Sequence, residues 1–220
     1  MRDKQPKAGK ERTTTDLALL EKPDGSYRTI IAGTGIDVVQ LARAEIVQAW
    51  GPAAAQLPVV ALSDGARSIK HDLQAVFGAQ VTHILDWYHL QAKVCQMMTM
   101  IAPHKAAKKA SNEVLLHALW HGETEQALTH LRGLTPKNAA KREELLGYLE
   151  KNRTTIIDYD RRQQTGKVIG SGRMKKHNDV VVAQRQKRKG MSWSKQGSLS
   201  LAMVTAQLHS PAPTRTKYLQ

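Results

Sequence analysis

A single cysteine, a shortage of acidic residues and the lack of any long apolar run set the first limits on this chain of 220 residues. Cys95 stands among apolar residues at helical spacing, so neither an internal disulfide nor a thiolate metal cluster can form, and a reducing compartment is expected. No stretch approaches the roughly 20 apolar residues of a membrane helix. Met1-Arg2-Asp3-Lys4-Gln5-Pro6 leads into no apolar segment of the signal-peptide kind. The expectation is a cytoplasmic, nucleoid-associated protein with no membrane partner. No internal repeat marks a solenoid. His83 and His89 have no further His or Cys at ligand spacing, which argues against zinc. Gly170-Ser171-Gly172 lacks the G-x-S-x-G form of a nucleophile elbow, and Gly33-Thr34-Gly35 is not completed as a phosphate loop.

What is abundant is positive charge. Thirty-three Lys and Arg against nineteen Asp and Glu give a net charge of +14 and an isoelectric point near 10.0. Such an excess points to a polyanionic partner, because neutralising phosphates releases condensed counterions. Nucleic acid is favoured over simple solubility and over an anionic membrane. The excess concentrates late: Arg173, Lys175, Lys176, Arg185, Lys187, Arg188, Lys189 and Lys195 face only Asp179. On a helix and the turn after it they form a stripe suited to phosphates rather than to base reading. Trp193 either stacks on an unpaired base or belongs to the core, covered by Met191 and Leu199. Residues 1–13 read as a basic arm bearing Lys4, Lys7, Lys10 and Arg12, and 210–220 as a disordered tail.

Residues 14–22 and 27–32 read as two strands joined across Pro23-Asp24-Gly25, a hairpin signal. Thr34-Gly35-Ile36-Asp37 has capping-box spacing for a helix to Trp50, stopped by Gly51-Pro52. Leu57-Pro58-Val59-Val60-Ala61-Leu62 reads as a buried strand, Ala66, Ile69, Leu73, Val76 and Phe77 as one helix face, and residues 80–87 as another strand. Helical periods follow at 90–101, 114–120, 126–131 and 143–149. Strand alternating with helix predicts an α/β fold with parallel pairing within a mixed sheet.

Asp64 sits after an apolar strand and before a helix. A carboxylate there suits either a metal ligand in the crevice at the strand ends or an ordinary helix N-cap. Asp86 invites the same pair of readings, with capping favoured and His89 facing a neighbouring element. Ser171 reads as the N-cap of the helix that follows it.

Four segments, Val60-Ala61-Leu62-Ser63-Asp64-Gly65-Ala66, Ile84-Leu85-Asp86-Trp87-Tyr88-His89-Leu90, Leu119-Trp120-His121-Gly122 and the signature over 170–194, together resemble bacterial insertion-sequence DDE transposases. The resemblance covers nearly the whole chain and implies an RNase H-like mixed sheet flanked by helices. The core would span 14–90 and 166–209, with a helical insertion at 91–165 before the final catalytic-position helix, near 172–189. It implies DNA strand cleavage and transfer at element ends with Mg²⁺ or Mn²⁺, and Asp64 as the second metal-binding carboxylate. Asp86 and His89 match a helix-start motif that supports the core. Arg173, Lys176, Arg185, Lys187, Arg188, Lys189 and Lys195 become the DNA-contacting set, and a homo-oligomer is left open.

Two departures qualify that implication. The strand carrying the family's first aspartate would lie before Met1, so a truncated copy is expected. Lys175 occupies the position of the family's last metal-binding glutamate. An ammonium about 4 Å from a divalent ion is repelled by about 8 kcal/mol at an effective dielectric near 20; solvent and side-chain motion reduce this. Asp179, one turn on, is the alternative carboxylate on a similar face. The expectation is a transposase-like protein defective in catalysis, or a DNA-binding repressor derived from one.

Overall fold

The computed structural model describes residues 15–22, 24–187, 191 and 193–210. The arm at 1–13, Arg188, Lys189 and the tail beyond Ser210 lie outside the described residues. The chain divides into two compact units, one made of residues up to Gln56 and from Gly172 onward, the other of Leu57–Ser171. The expected boundary at 90/91 thus lies inside the second unit.

The first unit opens with β1 (Asp16–Glu21) and β2 (Arg28–Gly33), an antiparallel hairpin in register from Asp16↔Gly33 to Glu21↔Arg28. Gly25, at φ +73°, takes the left-handed conformation that the turn requires. Helix α1 (Ile36–Trp50) follows. Its capping box does not form: Thr34 Oγ1 donates to the Asp37 carboxylate at 3.2 Å instead of receiving a backbone N–H.

The same unit resumes with α8 (Gly172–Asn178), a π-helical turn (Asp179–Ala183) and a short α9 (Gln184–Gln186). Val180-Val181-Val182 is a β-branched run poorly suited to a regular helix, and the chain widens there. Val181 and Val182 are buried together with Ile30, Ala32, Ala202 and Ala206. Ala202 and Ala206 belong to α10 (Lys195–His209), which packs on β2. Ser210 fixes this end, donating from Oγ to Ala206 O and accepting from Ile30 N at 2.8 Å.

In the second unit β3 (Val59–Ser63) crosses through α2 (Arg67–Phe77) to β4 (Val81–Leu85). The two strands are parallel, in register from Val59↔Val81 to Ser63↔Leu85. Five helices follow: α3 (Trp87–Ile101), α4 (Lys105–Trp120), α5 (Thr124–Gly133), α6 (Ala139–Asn152) and α7 (Tyr159–Gln164). The fold is mixed α/β, as expected, but pairing among the described residues gives two two-stranded sheets, one antiparallel and one parallel.

The apolar faces read from the sequence converge here: Leu90, Val94, Met97, Met98 and Ile101 of α3 pack with Leu115, Leu119, Leu128, Leu131, Leu145 and Leu149. Ile84 and Leu85 of β4 join the same cluster, so the helical run and the parallel sheet share one core. Trp87 meets Trp120 edge-on at 4.8 Å and Tyr159 at 5.1 Å, and the buried Tyr159 hydroxyl donates to Leu85 O at 2.8 Å.

Gly122 closes another of the quoted segments, Leu119-Trp120-His121-Gly122. Its φ is +75°, and a Cβ there would lie 2.9 Å from backbone atoms of Ile157 and Asp158. Gly122→Ala therefore meets both a backbone penalty and a backbone clash. The expected outcome is a loss of more than about 1 kcal/mol in urea unfolding, against a gain of about 0.5–1 kcal/mol for Gly147→Ala inside α6, where nothing stands within 4 Å.

Candidate functional site

The parallel register brings two carboxylates together. Asp64 and Asp86 each follow the last paired residue of their strands, Ser63 and Leu85, at the carboxyl ends where open α/β sheets place ligands. Their environments differ. Asp86 is 1% exposed. Its Oδ1 accepts from Tyr88 N at 2.7 Å and His89 N at 3.1 Å, capping α3 as expected. Its Oδ2 accepts from Ser171 N at 2.5 Å and from the Ser171 hydroxyl. The Ser171 hydroxyl proton thus goes to Asp86. His89 contributes its backbone N–H while its side chain is exposed, not turned to a neighbouring element.

Asp64 is exposed. It does not cap α2, whose N-cap is Ala66 with no side-chain bond. It accepts from Ala66 N at 3.0 Å, closing a short turn through Gly65 at φ +80°.

A polar group surrounds these strand ends that the sequence did not single out. Ser63 Oγ lies 2.7 Å from His83 Nε2 and accepts from Gly65 N at 3.2 Å. His83 Nδ1 is buried without a hydrogen-bond partner. Burial, then the Lys70 ammonium, holds His83 below its ordinary value, with Asp64 opposing. Burial pushes the Tyr148 hydroxyl up to about 12, with Asp64 and then Asp86 adding to it. The register of two adjacent strands would have located Ser63 and His83; Tyr148 comes from a helix far along the chain and left no such signal.

The basic residues of the other unit are on its surface. Arg173, Lys175, Lys176, Arg185, Lys187 and Lys195 are all exposed, on the segment from α8 to Lys187 and at the start of α10. Arg173 Nη1 donates to both Glu21 oxygens, at 2.9 and 3.1 Å. Asp179, exposed in the π turn, accepts from Gln184 Nε2 at 3.2 Å. Trp193 is 37% exposed and Met191 47%, so the covered-core reading of Trp193 does not hold.

A two-magnesium centre wants several oxygen anions at one place. Among the described residues no three His, Cys, Asp or Glu side chains form such a group. Asp86 has both oxygens committed to four donors, and Lys175, as a cation, cannot serve as an oxygen ligand. These residues do not fit that centre. Comparison with known proteins adds no constraint: no family model, no curated protein and no solved structure matches the chain.

The asymmetry of the two carboxylates has a measurable consequence. Asp86→Ala strips a charged acceptor from four donors and should cost on the order of 3 kcal/mol or more in urea unfolding. Ser171→Ala should cost about 1–2 kcal/mol, and Asp64→Ala about 0.5 kcal/mol or less. A large Asp64 cost beside a small Asp86 cost would invert this assignment.

His83 adds a pH dependence. Its folded-state value lies below the unfolded one, so between the two the unfolded chain binds the extra proton. This contribution is intact above about pH 6.5 and is lost as pH falls from there through the folded-state value. His83→Gln should flatten the unfolding free energy over that window.

Proposed function

We propose that the chain is a DNA-binding protein on an RNase H-like, transposase-type scaffold whose catalytic metal site is incomplete. It holds the DNA of element ends without cutting it. The observation that carries the reading is the row of exposed cations, Arg173, Lys175, Lys176, Arg185 and Lys187, continued by Lys195, in a chain of net charge +14. Asp179 is the one carboxylate within that stretch. The scaffold reading draws its support from β3–α2–β4, a parallel pair with a carboxylate at each carboxyl end, and from the four resembling segments. Two of these segments meet physically in the bonds from Ser171 to Asp86.

The expected behaviour is salt-steep duplex binding that ignores EDTA and survives Asp64→Ala, with no nicking of the element's ends in Mg²⁺ or Mn²⁺. Replacing Arg185, Lys187, Arg188 and Lys189 together by Gln should reduce the slope of log K against log salt by about 0.9 for each phosphate contact removed. Nicking that disappears in Asp64→Ala would replace this reading with that of an active enzyme, and an unchanged slope would remove the patch from it.

A further inference from the structure

Glu21, Arg28, Arg173, Lys176 and His177 gather in the first unit from three elements that the sequence gives no reason to connect. Glu21 and Arg28 are cross-strand partners at the end of the hairpin, where Arg28 Nε lies 3.3 Å from a Glu21 oxygen. Arg173, from α8, donates to both oxygens of the same carboxylate. Two permanent cations therefore face one anion, Lys176 adds its charge beside His177, and the Glu21 side chain is only 19% exposed. Arg28 Nε is buried and, despite its nearness to Glu21, has no hydrogen-bond partner among the described residues. His177 stands one turn beyond Arg173. Burial, then Arg28, His209 and Lys176, hold it below its ordinary value, with Glu21 opposing.

We propose that Arg28, Arg173, Lys176 and His177, gathered around Glu21, form a seat for one phosphodiester of the DNA backbone. A balanced structural network would match charge with charge; the Arg28–Glu21–Arg173 group leaves a surplus of one positive charge. A guanidinium pair already oriented by a carboxylate presents its remaining N–H groups in a fixed fork, the geometry suited to phosphate oxygens. An arriving phosphate meets the exposed part of the Arg28 side chain, which is 39% exposed, and offsets the surplus. It also favours protonation of His177, so that binding takes up a proton. Arg28 and His177 thereby extend the contact surface beyond the basic run. The inference rests on the DNA-binding reading and deepens it.

The test is anisotropy titration of the full chain with a short random-sequence duplex between about 50 and 200 mM salt, with circular dichroism melting for each variant. Arg28→Gln should lower the salt slope by about 0.9, so that binding weakens about 3.5-fold less over that range than it does for the parent. Glu21→Gln should do the reverse, tightening binding and steepening the slope. A purely structural carboxylate would lower the melting temperature and leave the slope alone. Affinity should rise as pH falls from about 8 to about 6, and His177→Gln should remove that part of the rise. If the parent chain does not bind DNA, the functional reading fails and the seat with it. If it binds with a steep slope that neither Arg28→Gln nor Glu21→Gln moves, the reading stands and the seat is overturned. A pH dependence unchanged in His177→Gln likewise removes the seat as drawn.

Discussion

Asp86 is a carboxylate almost without access to water, and an isolated charge in that position would be strongly disfavoured. It is tolerated because four donors meet it: two backbone N–H groups at the start of α3, and the N–H and hydroxyl of Ser171. Three parts of the chain are fixed by this one group. The strand β4 ends at it, the long helix α3 begins from it, and the segment 85 residues later is drawn back to it. The backbone reinforces the junction, with Asp86 N donating to Ser63 O at 2.8 Å and Trp87 N to Ile169 O at 3.1 Å. Gly170 is required for the same closure: a Cβ there would stand 2.5 Å from the Tyr88 ring. The Gly170-Ser171 pair therefore has a folding duty. Glycine permits the approach and serine supplies the donor.

The division of labour between the two strand-end carboxylates follows from their partners. Asp86 is used up in holding the structure, whereas Asp64 is left in solvent with one backbone contact. Around them stand Ser63, His83 and Tyr148, of which His83 and Tyr148 are held in their neutral forms chiefly by burial. Such surroundings give rigidity to the strand ends without adding the anions that hard cations need. The positive charge lies on other elements, where it is exposed and exceeds its internal partners. On the function proposed above, binding to a polyanion asks for little more than that and does not depend on a metal-ligand set.

Much of the architecture was legible because apolar period and local punctuation agree. The helix faces from Leu90 to Ile101 and over the three following stretches are buried where the 3.6-residue spacing places them, and Asp86 caps as its position suggests. Where the reading failed, side chains found another partner. Asp64 could have capped α2, but Gly65 lets the chain turn before the helix begins. Thr34 found the Asp37 carboxylate instead of a backbone N–H. The cluster around Glu21 was invisible for another reason: it joins residues more than 150 positions apart, and no local pattern encodes that meeting.

The first unit is sewn from the two ends of the chain. Its hairpin is written in residues 16–33, yet the side chains that cover Ile30 and Ala32 come from residues 181–206. During synthesis at about 5–20 residues per second, the hairpin leaves the ribosome on the order of ten seconds before its cover exists. For that interval it is a pair of strands with an apolar face in water, a poor candidate for independent stability. Leu57–Ser171 carries its whole core within itself and can settle first. The basic segment then arrives last, so the surface that carries the charge and the lid that completes the hairpin are assembled in the same closing step.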